Sequence, residues 1–184
     1  MRIVVLDRDG VINHDSPHYI KAVDEWFPIQ GSIEAIASLS SAGYKVAIAT
    51  NQSGLGRELF DQFALEEIHG KLQQLVEDAG GLVDGIFYCP HLPTDNCSCR
   101  KPGVGLLQQI ETEFDCSLSG VPFIGDSVKD LQAASAFGCV PVLVRTGNGA
   151  LTEKSLLHEG LEDVAIYDNL AAVVENMLAA KNVE

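Results

Sequence analysis

Residues 4–13 read VVLDRDGVIN. An apolar run without polar interruption marks a strand buried on both faces, as in a parallel sheet covered by helices. This run ends in two carboxylates two residues apart, Asp7 and Asp9, followed by Gly10. Neighbouring carboxylates repel, and each resists desolvation. Packing alone does not ask for that arrangement, so the strand end needs a compensating partner, and a divalent cation supplies one.

Working outward, apolar runs of strand length alternate with helical periodicity. Strands are predicted at 2–7, 44–51, 85–89, 121–126, 140–147 and 163–167. Helices are predicted at 32–43, with Ser32 as its cap and Gly43 at its end, and at 61–80, 103–114, 127–138 and 170–180. The alternation predicts an α/β fold: a three-layer, doubly wound, mostly parallel sheet. No repeat, low-complexity tract or linker divides the chain, so 1–184 reads as one domain, and the segment 10–31 has room for a short flap but no large cap domain.

In such sheets ligands bind beyond the carboxyl ends of the strands. Asp7 and Asp9 end the first strand, Thr50 and Asn51 the second, and Asp126 the strand beginning at Val121, while Arg100 and Lys101 open the loop before the helix at 103. A lone D-x-D is commonly a solvated turn, a lone Thr50 a turn residue and a lone Lys101 a surface lysine. Together at one sheet edge they form a phosphoryl-transfer set. Asp7 and Asp126 can hold Mg²⁺, which prefers oxygen ligands. Asp7 can attack phosphorus, and Asp9 can protonate the leaving alkoxide and then deprotonate water. Thr50, backbone N–H groups and Lys101 can bind the equatorial oxygens, and Gly10 allows the sharp turn that brings those N–H groups close. Arg8 reads as a structural ion-pair partner on the other side of the strand. Asp130, one helical turn after Asp126, reads as a group orienting Lys101.

Residues 89–102 read CPHLPTDNCSCRKP. Cys89, His91, Cys97 and Cys99 supply three thiolates and an imidazole, a full tetrahedral zinc set with no open position, so a structural role is expected. The intervening segment has few apolar residues, and zinc would stand in for a core while fixing the loop that presents Arg100 and Lys101. An odd cysteine count of 5 with three crowded together fits metal binding better than a disulfide framework. Cys116 and Cys139 read as ordinary thiols, and His14 and His18 as solvated loop residues.

The net charge of −14 disfavours nucleic acid and anionic membranes as partners. No apolar run reaches membrane-spanning length and the first apolar run is too short for a signal peptide. The expectation is a cytoplasmic protein, a monomer, acting on a small phosphorylated substrate.

DRDG, ATNQSG, CRKP and IGDSVKD, in this order, resemble the haloacid dehalogenase-like phosphatases, in particular the D-glycero-D-manno-heptose 1,7-bisphosphate 7-phosphatases and the related histidinol-phosphate phosphatases. The resemblance implies that Asp7 is the nucleophile and Asp9 the general acid/base. It implies Mg²⁺ on Asp7, Asp126 and the backbone carbonyl of Asp9, phosphoryl contacts from Thr50 and Lys101, and a zinc site in the cysteine loop. It also implies substrate contacts from Arg100 and from the segments DSPHY (Asp15, Tyr19) and TNQS (Thr50, Asn51, Gln52, Ser53). Two other classes compete. A phospho-receiver domain carries its acceptor Asp on a later strand, and the third strand here runs into Cys89 instead. A non-catalytic zinc module would have no use for the acid–lysine–threonine set.

Overall fold

The computed structural model describes residues 2–181. Six strands, β1 (Arg2–Leu6), β2 (Tyr44–Asn51), β3 (Gly85–Cys89), β4 (Pro122–Gly125), β5 (Val140–Val144) and β6 (Ala165–Tyr167), form one sheet in the order β3-β2-β1-β4-β5-β6. Each neighbouring pair is parallel. The helices are α1 (Ser32–Ser41), α2 (Ser53–Gly56), α3 (Gln62–Asp78), α4 (Gly105–Phe114), α5 (Val128–Phe137), α6 (Gly149–Ser155) and α7 (Leu170–Lys181).

Side chains alternate across each strand, and this sorts them into two layers of core. Val4 and Leu6 of β1 and Val46 and Ile48 of β2 pack with Ile36 of α1, Leu72 of α3 and Val173 of α7. Their neighbours Ile3, Val5, Ala47 and Ala49 face the other way, onto Leu106 and Ile110 of α4 and Ala133 and Ala134 of α5. A full burial of each Leu or Ile contributes roughly 1.5–3 kcal/mol, and helices on both faces follow from strands that are apolar on both faces. The order of strands reverses at β1, which lies between β2 and β4. The crevice beyond their carboxyl ends is where such a sheet binds ligands. No described helix is long and apolar enough to cross a membrane.

Several local expectations differ. Gly31, with φ 82°, occupies the cap position of α1, and Ser32 Oγ donates instead to the Ile12 carbonyl at 2.6 Å. The serine thus joins α1 to the turn after β1. The fifth strand stops at Val144 rather than 147, because the chain turns there and forms α6. α2 and α6 are too short for helical periodicity to reveal. α3 is capped by Asp61, which accepts from the Ala64 N–H at 2.9 Å.

The segment 10–31 forms the short flap. Asn13 bridges to Asp9 and to Pro28, and Trp26 is wholly buried. Lys71 of α3 anchors it by donating to the carbonyls of Val23 at 2.9 Å and Trp26 at 2.7 Å. Its ammonium also lies over the rings of Trp26 and Phe27, 5.7 and 5.3 Å from their centroids.

Candidate active site

Asp7 directly follows β1, and its N–H continues the ladder by donating to the Ile124 carbonyl at 2.9 Å. Asp126 directly follows β4, and Thr50 lies near the end of β2. Their side chains meet Lys101 from the loop before α4 and Asp130 from the first turn of α5. The Lys101 ammonium lies 2.8 Å from Asp7 Oδ1 and 2.6 Å from Asp130 Oδ1. It also donates to the Ala49 carbonyl at 2.7 Å, which accounts for all three of its protons.

Asp130 has two tasks. Its Oδ2 accepts from the N–H and Oγ of Ser127 at 3.0 and 2.6 Å, capping α5, while Oδ1 faces Lys101. A Cβ on Gly125 would lie 2.2 Å from that of Asp130, so only glycine lets the aspartate sit there. Asp126 is held by Asn148, whose backbone N–H and Nδ2 donate to its Oδ2 at 2.7 and 3.2 Å. Gly10 and Gly147, both at positive φ, press on the same carboxylate. A Cβ on either would come within 2.2 Å of Asp126 Oδ2.

Oxygens of Asp7, Asp126 and Asp130 all lie within 4.8 Å of one another. One ammonium serves three buried carboxylates, so negative charge is left over. Burial first, then Asp130, pushes the Asp126 carboxyl up to about 7, against the pull of the Asn148 N–H. Burial, with Asp130 and Asp126 nearby, also raises Asp7 well above the ordinary carboxylate range although Lys101 opposes it. Burial works against the charge of Lys101, but Asp130 and Asp7 outweigh it and keep the ammonium protonated. A buried oxygen cluster with uncompensated charge fits a hard divalent cation.

Asp9 points to different partners. Arg8, wholly buried, turns back to its neighbour: Nε and Nη2 donate to Asp9 Oδ1 at 3.1 and 2.9 Å, and Nη2 to Oδ2 at 3.0 Å. Asn13 Nδ2 donates to Oδ1 and Gln52 Nε2 to Oδ2, each at 2.8 Å. Burial opposes the Asp9 charge, yet Arg8 and the two amides outweigh it and hold its carboxyl below the usual range. Gln52 Nε2 also donates to Thr50 Oγ1 at 2.9 Å.

Asp7, Asp9, Thr50, Arg100, Lys101, Asp126 and Asp130 line one open cavity of about 430 Å³. Asp15, Tyr19, Asn51 and Gln52 line it too. Asn51 is tied to the loop backbone, exchanging two 3.1 Å hydrogen bonds with the N–H and carbonyl of Lys101. Asp15 accepts from Asn148 Nδ2 at 3.2 Å, linking the flap to the group that holds Asp126. Ser53 is the exception among the expected substrate contacts: it is buried at the start of α2, outside this cavity lining. His14 and His18 are exposed and also outside the lining. Sequence reasoning missed Asn148, Asn13 and His69. The GNG stretch at 147–149 was the only local signal for the first.

The cysteine loop closes beside this edge. Cys99 Sγ lies 3.2 Å from Cys89 and 3.5 Å from Cys97, and Cys89 lies 3.6 Å from Cys97. His91 Nδ1 lies 3.5 Å from Cys89 Sγ and 3.3 Å from Cys99 Sγ. A tetrahedral zinc with sulfurs at about 2.3 Å would set S–S edges of roughly 3.8 Å, so the four donors surround a space of the right size. The Cys97 thiol sits low, at about 7; burial opposes this, and the Arg100 N–H and neighbouring thiols lower it.

A doubly wound sheet with this acid–lysine–threonine edge defines the class, a HAD-like hydrolase, and residues 98–173 match the HAD-hydrolase-like family model. D-glycero-beta-D-manno-heptose-1,7-bisphosphate 7-phosphatase of Pseudomonas aeruginosa is 53% identical over 176 residues, covering 96% of this chain and 97% of its own. The chain belongs to the family of those heptose-bisphosphate phosphatases. The crystal structure of D,D-heptose 1,7-bisphosphate phosphatase from B. bronchiseptica, complexed with magnesium and phosphate, superposes with a TM-score of 0.93 at 49% identity, covering 98% of this chain and 99% of that one. The corresponding enzyme from Burkholderia thailandensis gives a TM-score of 0.75 at 38% identity, covering 97% and 99%.

Proposed function

We propose that the chain is a magnesium-dependent phosphatase that removes the 7-phosphate of D-glycero-D-manno-heptose 1,7-bisphosphate through an aspartyl-phosphate on Asp7. The observation that carries this reading is the convergence of Asp7, Asp9, Thr50, Lys101 and Asp126 on one cavity, in a chain half identical to relatives bearing that name. Asp7 and Asp126, with the backbone carbonyl of Asp9, would hold magnesium, which when bound would offset the repulsion between carboxylate and phosphate.

The chain's own groups carry the steps. The Arg8 N–H, at 2.7 Å, and the Lys101 ammonium fix Asp7 Oδ1 and so aim the carboxylate. Its oxygen bonds to phosphorus as the bond from phosphorus to the sugar oxygen breaks. Asp9, a carboxylate in the resting site, must first take up a proton, which it then gives to the departing alkoxide. As a carboxylate it then takes a proton from the water whose oxygen attacks phosphorus, freeing Asp7 and inorganic phosphate. Thr50 Oγ1 already accepts from Gln52, so its own proton is free for a phosphoryl oxygen, with the charge of Lys101 close by. Asp15, Tyr19 and Arg100 meet the rest of the substrate. Cys89, His91, Cys97 and Cys99 would hold a zinc ion, whose role there would be structural.

The test is phosphate release from a panel of sugar phosphates and histidinol phosphate, with relative kcat/KM. The heptose 1,7-bisphosphate is expected to lead by at least about tenfold, a discrimination of roughly 1.4 kcal/mol in transition-state binding. Preference for histidinol phosphate would overturn the substrate assignment. Protein stripped with EDTA should regain turnover with Mg²⁺ and thermal stability with Zn²⁺, each added separately.

Metal binding should also depend on pH. The folded pKa of Asp126, about 7, lies above the ordinary carboxylate value. Its neutral form therefore favours the metal-free fold at low pH, and that stability is lost as pH rises through about 7. Magnesium binds the ionised form, so a saturating addition is expected to raise Tm by several degrees at pH 8 and by clearly less at pH 5.5. Equal shifts in differential scanning calorimetry would contradict this.

A further inference from the structure

The hydrogen-bond chain that holds Asp9 does not stop at Arg8. The remaining guanidinium nitrogen, Nη1, lies 3.1 Å from Nε2 of His69 on α3, sixty-one positions away in sequence. Both side chains are buried: Arg8 is 0% exposed and His69 9%. A guanidinium can only donate, so His69 Nε2 accepts and the ring proton resides on Nδ1. Tyr88 of β3 packs against the same imidazole, with centroids 5.9 Å apart at 57°, and so limits its rotation. Burial and the adjacent Arg8 keep the ring neutral, with a pKa near 3.

The wholly buried Arg8 guanidinium is costly to desolvate, so the partners of its nitrogens decide the geometry it holds. Its Nε and Nη2 are committed to Asp9, so the orientation of that fork depends on what Nη1 meets at the far end. We propose that His69 is a positioning residue for phosphoryl transfer: by accepting from Arg8 Nη1 it locks the guanidinium whose other edge fixes the Asp9 carboxylate. The inference rests on the reading of Asp9 as the proton donor and acceptor. His69 touches neither substrate nor phosphorus.

The test uses the intact enzyme with two substrates that differ in what they ask of Asp9. A sugar alkoxide must be protonated as it leaves, whereas p-nitrophenolate leaves without a proton. Single-turnover rapid quench measures formation of the phosphoenzyme from each. His69→Leu, which fills the site but accepts nothing, is expected to slow phosphorylation by the sugar phosphate about tenfold and by p-nitrophenyl phosphate less than about twofold, with KM little changed. His69→Gln, which places an acceptor at similar reach, should recover most of the lost rate. If His69→Leu fails to fold, His69→Asn, polar but too short to meet Nη1, serves the same comparison.

An equal fall with both substrates, no fall with either, or no recovery in His69→Gln would overturn the proposal. Asp9→Asn separates the two levels. If that variant turns over the sugar phosphate at an undiminished rate, the acid/base reading itself fails and the role of His69 fails with it. If Asp9→Asn is inert while His69→Leu behaves as wild type, only the positioning role is lost.

Discussion

Asp7→Asn is expected to lower kcat by at least about 10⁴-fold while leaving a folded protein, because the amide is isosteric but cannot serve as the nucleophile. The structure gives reasons to expect the fold to survive. The asparagine Oδ1 can still accept from the Arg8 N–H and from Lys101, which reach that atom at 2.7 and 2.8 Å in the native site. Losing the charge also relieves repulsion, since burial and the neighbouring acids already raise the Asp7 carboxyl. Near-native or higher Tm beside abolished phosphate release is the expected pair of results. Undiminished release would remove Asp7 from the role of nucleophile.

Lys101→Met should damage both activity and stability. Lys101 is 2% exposed, and its ammonium touches Asp7, Asp130 and the Ala49 carbonyl. Methionine fills similar volume but leaves two buried carboxylates without their cation. Breaking such a buried pair costs about 3–5 kcal/mol, which for a chain of this size lowers Tm by roughly 10 °C. The deficit should shrink as pH falls from 8 to 5. Without the lysine the acids take up protons more readily, and protonation removes the uncompensated charge. Denaturant titrations at the two pH values check the sign, and a deficit that grew toward acid would refute the account. Turnover should fall by about 10³-fold or more, since the lysine also carries charge for the transferring group.

The layers of the fold were legible because each strand is a compact apolar run and each long helix carries a three- and four-residue repeat. The strands at 44–51 and 85–89 coincide with β2 and β3. The acid cluster was legible for a related reason: strand ends are local features, and a parallel sheet collects them on one edge. What escaped were contacts decided by tertiary packing. Nothing near His69 in sequence announces Arg8, and its helix position reads as one more core-facing residue. Gln52, expected as a substrate contact, lines the cavity, and its amide nitrogen also donates to Asp9 and Thr50, partners that no sequence pattern announces. Ser32 obeyed a tertiary partner, the Ile12 carbonyl, over its local preference for a cap. Asn148 lies in a fragment too short and too glycine-rich to carry a pattern, yet it bridges Asp126 and the flap.

Gly10 and Gly147 bear on any attempt to redesign this pocket. They follow β1 and β5, which are not sheet neighbours, and they meet over the end of β4: a Cβ on Gly147 would come 2.5 Å from the Gly10 Cα as well as 2.2 Å from Asp126 Oδ2. A methyl group at one position has no room that trimming the other could provide, because the other is already bare. Variant libraries aimed at new substrates should therefore hold both sites constant and place their diversity in the flap at Tyr19, leaving Asp15, which Asn148 ties to Asp126, in place.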